Sequence, residues 1–563
     1  MNNRVIREYL ETLKEDGELD FIFPFLLESM GFTLVSTPKN SKGQVQHGKD
    51  VIAVGPDENG TMHKWFFELK GGDSRNIDSH NFNVKDGIRE SLLEMKDVPY
   101  QNSNYPGFDN LPIKYVIVHN GILKENARTQ VELFINKTFK ENEFERWDID
   151  RLTNLFKLNL FDECLYINDE AYKLVKRILI QYDSPGWDGN DIKSLIDTIL
   201  KSCSTQNTGS RKTKQIFNSF LLLLDLITKE CIVIDNLLPA KLASNIVVLE
   251  LWRWILENKL QSDKNILSLF SGIYIYHLNI YEKYINKLLP LASQYKGLYM
   301  FNGLDSEKII YPLRCYDFLN DLMYFLICAT AYTSNGPSYD KEKLLGIIFE
   351  VINNNSGFDN PLLDINSISL QLLLKLIFVW NNTEESLTKF GYLIHRIVLN
   401  LLIRKQRDNM FPELYSNRKE LAKSIYEKSS DYQDNSSLLL LIIIQFLAYF
   451  DLEDDYQELR KLILKNNTNL QIAIPINNED LEINMFKGKM HRQIAVAHSV
   501  QLPETLEEFR KKFKINYDKI ELKTSKTPFS SLIFLTHLQN GIDWFPDFLN
   551  LGYVRPIIKD KTS

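Results

Sequence analysis

The sequence predicts an α/β domain with an αβββαβ core over residues 1–158, followed by a large all-α helical region over residues 159–563. Three observations lead there. Up to about residue 155, short β-branched and aromatic runs alternate with helical periods and turn clusters, as an α/β unit requires. From residue 169 onward strand signals nearly vanish, and amphipathic or apolar stretches such as EAYKLVKRILIQY and SNIVVLELWRWILENKL take over. The chain has 563 residues, 44% hydrophobic and 25% charged, an ordinary globular composition with room for roughly two to four domains.

The elements of the first domain follow in order. A helix over 19–30 stops at Gly31, and a strand over 32–36 leads into the polar loop TPKNSKGQVQHGK. Residues 50–55 (DVIAVG) and 63–70 (HKWFFELK) read as two strands joined by PDENGT, whose Asn59-Gly60 pair is a hairpin signal. Centring the hairpin on Asn59 pairs residues whose numbers sum to 118, which sets Asp50 opposite Glu68. Glu68 and Lys70, two apart, share a face, and Leu69 points to the other. The apolar residues Trp65, Phe66, Phe67 and Leu69 indicate a strand covered on both sides. A helix over 84–95, a strand over 115–120 (YVIVHN), a helix over 125–138 and a short strand over 144–149 complete the unit.

Composition excludes several function classes. Lysine and arginine number 66 against 73 acidic residues, a net charge of −7, so nucleic acid would have to be met by local basic patches. The five cysteines (Cys164, Cys203, Cys231, Cys315, Cys328) are odd in number and scattered, which fits reduced thiols in a cytoplasmic protein. The N-terminus is charged and helical, without the apolar stretch of a secretory signal. The longest apolar run, 438–450, is interrupted by Gln445 and too short to cross a bilayer, so it is expected as a core helix and no membrane contact is expected. No nucleotide-binding GxxxxGK[ST], GxSxG, HExxH or GxGxxG after a strand occurs. His491 and His498, seven apart on one expected helical face, lack a third ligand, and the basic residues around Arg510 are placed to pair with Glu507 and Glu508.

Chemistry concentrates at Asp50, Glu68 and Lys70. Two carboxylates opposite each other on a sheet repel, at a cost of roughly 0.2–1 kcal/mol or more when covered, so something must offset them. A divalent cation does so, since hard oxygen ligands from two acids leave Mg²⁺ open positions for water and phosphate. The D…ExK arrangement, Asp50 in GKDVIAVG and Glu68-Leu69-Lys70 in FFELKGG, resembles the PD-(D/E)XK nuclease superfamily, in the restriction-endonuclease-like branch of Mrr-type enzymes and Holliday-junction resolvases. The likeness covers about residues 15–155. Counting eleven back from Gly31 puts Asp20 where that branch carries a first-helix acid, usually Glu, with Glu18 and Glu28 as alternatives; Lys49 stands where the naming proline would be.

The resemblance implies a Mg²⁺- or Mn²⁺-dependent endonuclease acting on nucleic acid, DNA rather than RNA, in a prokaryotic restriction or anti-phage defence setting. Asp50, Glu68, Asp20 and the Leu69 carbonyl would hold the metal, and Lys70 would act beside them in catalysis. Lys49, Lys42, Lys39, His47 and Arg75 flank the site as candidate phosphate contacts, and Gly71 and Gly72 would allow a close backbone approach. The helical region is expected to serve regulation, target sensing or contact with a defence-system partner, and a homodimer is expected because such nucleases cut two strands with paired sites. The alternative from another class is a helical scaffold whose nuclease-like domain binds nucleic acid without cutting it.

Overall fold

The computed structural model describes residues 6–540 apart from 8–9, 12, 38–46, 86, 101–104, 160–168, 185, 202, 204, 301–306, 333–339, 381–382, 413–417, 419–420, 422, 424–433, 476–480, 489–494, 517–528 and 530. The chain forms two compact units, Met1–Val248 with Leu260–Tyr276, and Leu249–Lys259 with His277–Ser563. The first continues past residue 158 and takes in several helices beyond the sheet.

The α/β portion runs α1 (Asp20–Ser29), β1 (Thr33–Ser36), β2 (Val51–Pro56), β3 (Met62–Lys70), α2 (Ser79–Asn83), α3 (Ile88–Asp97), β4 (Ile113–His119), α4 (Glu125–Thr138), β5 (Phe144–Trp147) and α5 (Ile149–Phe156). This is the αβββαβ order read from sequence, with the expected 84–95 helix split: Val84 is extended (φ −61, ψ 152) and the longer helix begins after Gly87. The five strands lie in chain order; β1, β2 and β3 are antiparallel neighbours, while β3–β4 and β4–β5 are parallel.

The hairpin has the expected register, Val51 opposite Phe67 and Ile52 opposite Phe66. Its turn is fixed by Asp57, whose carboxylate accepts the N–H groups of Asn59 and Thr61 at 2.9 Å each, and by Gly60 at φ +82. Side-chain alternation then gives the sheet two apolar faces. Phe66, Tyr115 and Ile117 pack with Leu92 and Met95 of α3 and Val131 of α4. On the opposite face Trp65 stacks on Phe67 at 6.0 Å, and Phe23 of α1 meets Phe67 edge-on at 5.2 Å. Coverage on both faces is what the run Trp65–Phe67 foretold.

Beyond the sheet the first unit is helical: α6 (Asp169–Gln181), α7 (Asn190–Leu200) and α8 (Arg211–Val233), with α9 (Leu238–Glu257) and α10 (Lys264–Ala292) following. The second unit carries α11 (Glu307–Tyr332), α12 (Lys341–Asn354), α13 (Asn366–Trp380), α14 (Glu384–Asp408), β6 (Ser436–Ser437), α15 (Leu439–Phe450), α16 (Glu453–Lys465), β7 (Asn469–Pro475), α17 (Leu481–Phe486), β8 (Ala495–Val500), α18 (Leu506–Asn516) and α19 (Leu532–Asn540). The apolar run is the buried helix α15, as expected. No helix among the described residues is long and apolar enough to cross a membrane.

The region expected to be all-α is mostly helical but not wholly so. A three-stranded sheet joins β6 and β7 in parallel and β7 and β8 antiparallel. Its signal was present in NLQIAIP, where Leu470, Ile472 and Ile474 alternate with Gln471 and Ala473. His498 therefore stands on a strand, opposite Ile472, instead of on a helix, and His491 lies outside the described residues. On α18, Lys511 pairs with Glu507 at 2.7 Å, as the i, i+4 spacing indicated.

Candidate functional site

The site lies at one end of the β2–β3 hairpin. Asp50 is the residue just before β2, and Glu68 and Lys70 close β3, on the face that carries Phe66. The Leu69 N–H donates to Asp50 Oδ2 at 2.7 Å. Since the N–H and C=O of one strand residue point to the same edge, the Leu69 carbonyl also faces the Asp50 side.

Glu68 is 2% exposed, and its two oxygens differ. Oε1 accepts from Ser91 Oγ on α3 at 2.5 Å and faces the Lys70 ammonium at 2.8 Å. Oε2 is buried with no hydrogen-bond partner. Lys70 Nζ also reaches Glu15 Oε1 at 3.2 Å, and Glu15 Oε2 accepts the Gly71 N–H at 3.3 Å. Two carboxylates, Glu68 and Glu15, thus hold one ammonium, with the charge of Asp50 behind them.

The electrostatics follow from that crowding. Burial, reinforced by the Glu68 charge, pushes the Asp50 carboxyl up to about 8, against the pull of the Leu69 N–H and Lys70. Glu15 is raised by burial, with Lys70 and the Gly71 N–H opposing. Burial alone would lower Lys70; the charges of Glu68 and Glu15, with Asp50 behind them, outweigh it and hold the ammonium well above its ordinary value. With all three acids ionised the cluster would carry more negative charge than one lysine balances.

Glu15, which sequence reasoning missed, joins the cluster from the segment before α1. It precedes α1 in a segment broken by Asp16 (ψ 128) and Gly17 (φ 76), so no helical period points to it. Contacts distant in sequence hold the segment: Asn120 Nδ2 donates to the carbonyls of Leu10 (2.6 Å) and Leu13 (2.7 Å), and the Gly72 N–H to Leu13 O (3.1 Å). Gly71 has no room for a side chain, since a Cβ there would stand 2.7 Å from the Glu15 nitrogen. The close approach that Gly71 permits is by the protein's own N-terminal segment.

No described interaction brings Asp20 into the cluster. Its carboxylate meets the main-chain N–H groups of Gly17, Glu18 and Phe21, although one oxygen, like Glu68 Oε2, is buried without a partner. Glu18 pairs with Lys229 at 3.1 Å, and Glu28 faces Lys214.

The expected phosphate contacts fare differently from the acids. Lys49 is a correction: it is 5% exposed, donates to the Val98 carbonyl at 2.8 Å and lies over the Phe66 ring, so it is packed inward because the apolar β2 start buries its stem. Arg75 donates to the Glu11 carbonyl, which ties it to the N-terminal segment. His47, in a left-handed turn (φ 49), sits 3.7 Å from Glu94 of α3. Lys39 and Lys42 lie outside the described residues. In the second unit, Arg404 and Lys405 are buried, with Lys405 paired to Asp434.

The donors present suit a hard divalent cation: Asp50, the free Oε2 of Glu68 and the Leu69 carbonyl are all oxygens, and the orphaned Oε2 is the atom such an ion would satisfy. Among the described residues, no three His, Cys, Asp or Glu side chains already stand as a complete metal-ligand group. Main-chain oxygen and solvent would have to supply the remaining positions, as is usual for Mg²⁺. Comparisons of the chain with protein-family models, curated proteins and solved structures found no match.

Proposed function

We propose that the N-terminal α/β portion is a Mg²⁺- or Mn²⁺-dependent nuclease of the PD-(D/E)XK type, hydrolysing phosphodiester bonds, with DNA as the expected substrate. The observation that supports it most is the buried, partnerless Glu68 Oε2 beside an Asp50 whose carboxyl burial and Glu68 push up to about 8. Leaving such groups uncompensated costs stability, and a cation removes the cost.

Asp50, Glu68 Oε2 and the Leu69 carbonyl would hold the ion, which when bound supplies Lewis-acid polarisation of the phosphate and a water of lowered pKa. Lys70, kept protonated by Glu68 and Glu15, presents a fixed positive charge to the phosphate oxygens, where negative charge grows during displacement. Glu15 keeps Lys70 at the end of β3 by holding both its ammonium and the next N–H.

The second reading, a domain that binds nucleic acid without cutting, has an observation of its own. Lys70 already bridges Glu68 and Glu15, so two of the three acids are partly neutralised without metal. Incubating the protein with Mg²⁺ or Mn²⁺ and plasmid, single-stranded DNA or RNA separates the two. Metal-dependent cleavage that disappears in both Asp50→Ala and Glu68→Ala supports the nuclease reading; intact substrates together with salt-sensitive binding support the second. Cleavage that persists unchanged in both variants rejects the site.

A further inference from the structure

Ser91 touches both halves of the acidic pair. Its hydroxyl donates to Glu68 Oε1 at 2.5 Å, and the Lys70 ammonium takes the same oxygen at 2.8 Å. Its main chain abuts the loop that delivers Asp50: a Cβ on Gly48, at φ +67, would stand 2.3 Å from the Ser91 carbonyl oxygen. Lys49, between Gly48 and Asp50, is anchored on Val98 just beyond the same helix.

We propose that Ser91 is a positioning residue that fixes the plane of the Glu68 carboxylate, and with it the direction in which the unpartnered oxygen meets the metal ion. The inference rests on the metal reading above. The terminal torsion of a glutamate is broad, and a half-turn merely exchanges two identical oxygens, so what a donor can fix is the angle of the carboxylate plane. Lys70 alone, a rotatable ammonium on a flexible stem, leaves that angle loose. With Ser91 and Lys70 both donating to Oε1, that oxygen's two lone-pair directions are filled and Oε2 is the only acceptor left facing the ion. Without the hydroxyl the carboxylate plane turns over a wider range, the free oxygen is aimed at the ion less often, and affinity falls. Groups that orient metal ligands in this way typically matter by roughly 10–100-fold in metal affinity.

The test is Mn²⁺ binding to the full-length protein without nucleic acid, read from the electron paramagnetic resonance signal of free aqueous Mn²⁺. Ser91→Ala is expected to weaken binding by roughly 10-fold or more, and Ser91→Thr, which keeps the hydroxyl, to restore it to within about threefold of wild type. Ser91→Cys, nearly isosteric but a weak donor, is expected to fall with Ser91→Ala, which guards against a packing defect in the smaller variant. Wild-type affinity in Ser91→Ala or Ser91→Cys overturns the proposal, as does equal loss in Ser91→Ala and Ser91→Thr, because volume and not the hydroxyl would then be responsible. A wild-type protein that binds no Mn²⁺ overturns the metal reading itself, and this inference with it. The two failures are thereby distinguished.

Discussion

Two buried carboxylates, one in each unit, are treated in opposite ways. Asp364, in the helical unit, is fully buried and well supplied: Oδ1 accepts from Ser437 Oγ at 2.6 Å and the Leu439 N–H at 3.2 Å, and Oδ2 from the Leu438 N–H at 2.7 Å. It closes the N-terminus of α15, where free N–H groups and the helix dipole favour a negative charge. Glu68 is as deeply covered but keeps one oxygen empty, with two further acids beside it. A carboxylate that serves the fold is surrounded by donors. One that is left short of them, among others of its kind, is the group that the proposed metal ion would satisfy.

The comparison can be broken by exchanging the consequences of losing each acid. Glu68→Ala is expected to reduce metal-dependent cleavage by roughly 10³-fold, the scale of removing a main electrostatic contributor at a reacting centre, and Asp364→Ala to leave the rate per folded molecule unchanged. Stability should show the reverse. Asp364→Ala strands two main-chain N–H groups and the Ser437 hydroxyl, which is expected to cost about 2–4 kcal/mol in chemical denaturation. Metal-free Glu68→Gln should cost less than about 1 kcal/mol, because it removes repulsion while keeping an acceptor for Ser91. Equal destabilisation by the two changes would erase the distinction.

A pH series sharpens the same point. The folded Asp50 carboxyl sits at about 8 against roughly 3.9 in an unfolded chain, so the folded state binds this proton more tightly. Its favourable contribution is therefore complete below about pH 4 and is lost as pH rises through 8. Asp50→Asn does not titrate. In metal-free protein it is expected to melt about 2–4 °C above wild type at pH 8 and to lose that advantage near pH 4. Mg²⁺ should raise the wild-type midpoint at pH 8 and leave the variant unmoved.

The smallest expected effect separates the two N-terminal acids. Glu15→Gln, which weakens the hold on Lys70, should lower Mn²⁺ affinity by about three- to tenfold, while Asp20→Asn should change it by less than about twofold. Calorimetric titration resolves the difference, and the opposite ranking would return the role to Asp20.

The hairpin was legible because its signals are local. Asn59-Gly60 fixes the turn, the turn fixes the register, and the register brings Asp50 to Glu68 without any tertiary information. Glu15 was not legible, because what places it is distant in the chain: Asn120 holding two carbonyls of the N-terminal segment, and the missing side chain at Gly71. Counting eleven back from Gly31 runs along the unbroken helix and stops at its first residue, Asp20; the Asp16-Gly17 turn lies beyond that point, and Glu15 on its far side is brought to Lys70 by tertiary contacts. Lys49 read as a candidate phosphate contact because only the packed strand and Val98 turn its ammonium inward. The sheet of the second unit was masked by the helical periods on either side, although β7 carries the alternation of Leu470, Ile472 and Ile474.

Growing crystals with Mn²⁺ and recording the anomalous signal at its absorption edge addresses the central claim most directly. The account expects one peak joining Asp50 and Glu68 Oε2 at roughly 2.1 Å from each, with Ser91 and Lys70 still on Oε1. Saturating Mn²⁺ with no peak there, and Glu68 Oε2 satisfied by a rotated Lys70 or by water, would contradict it.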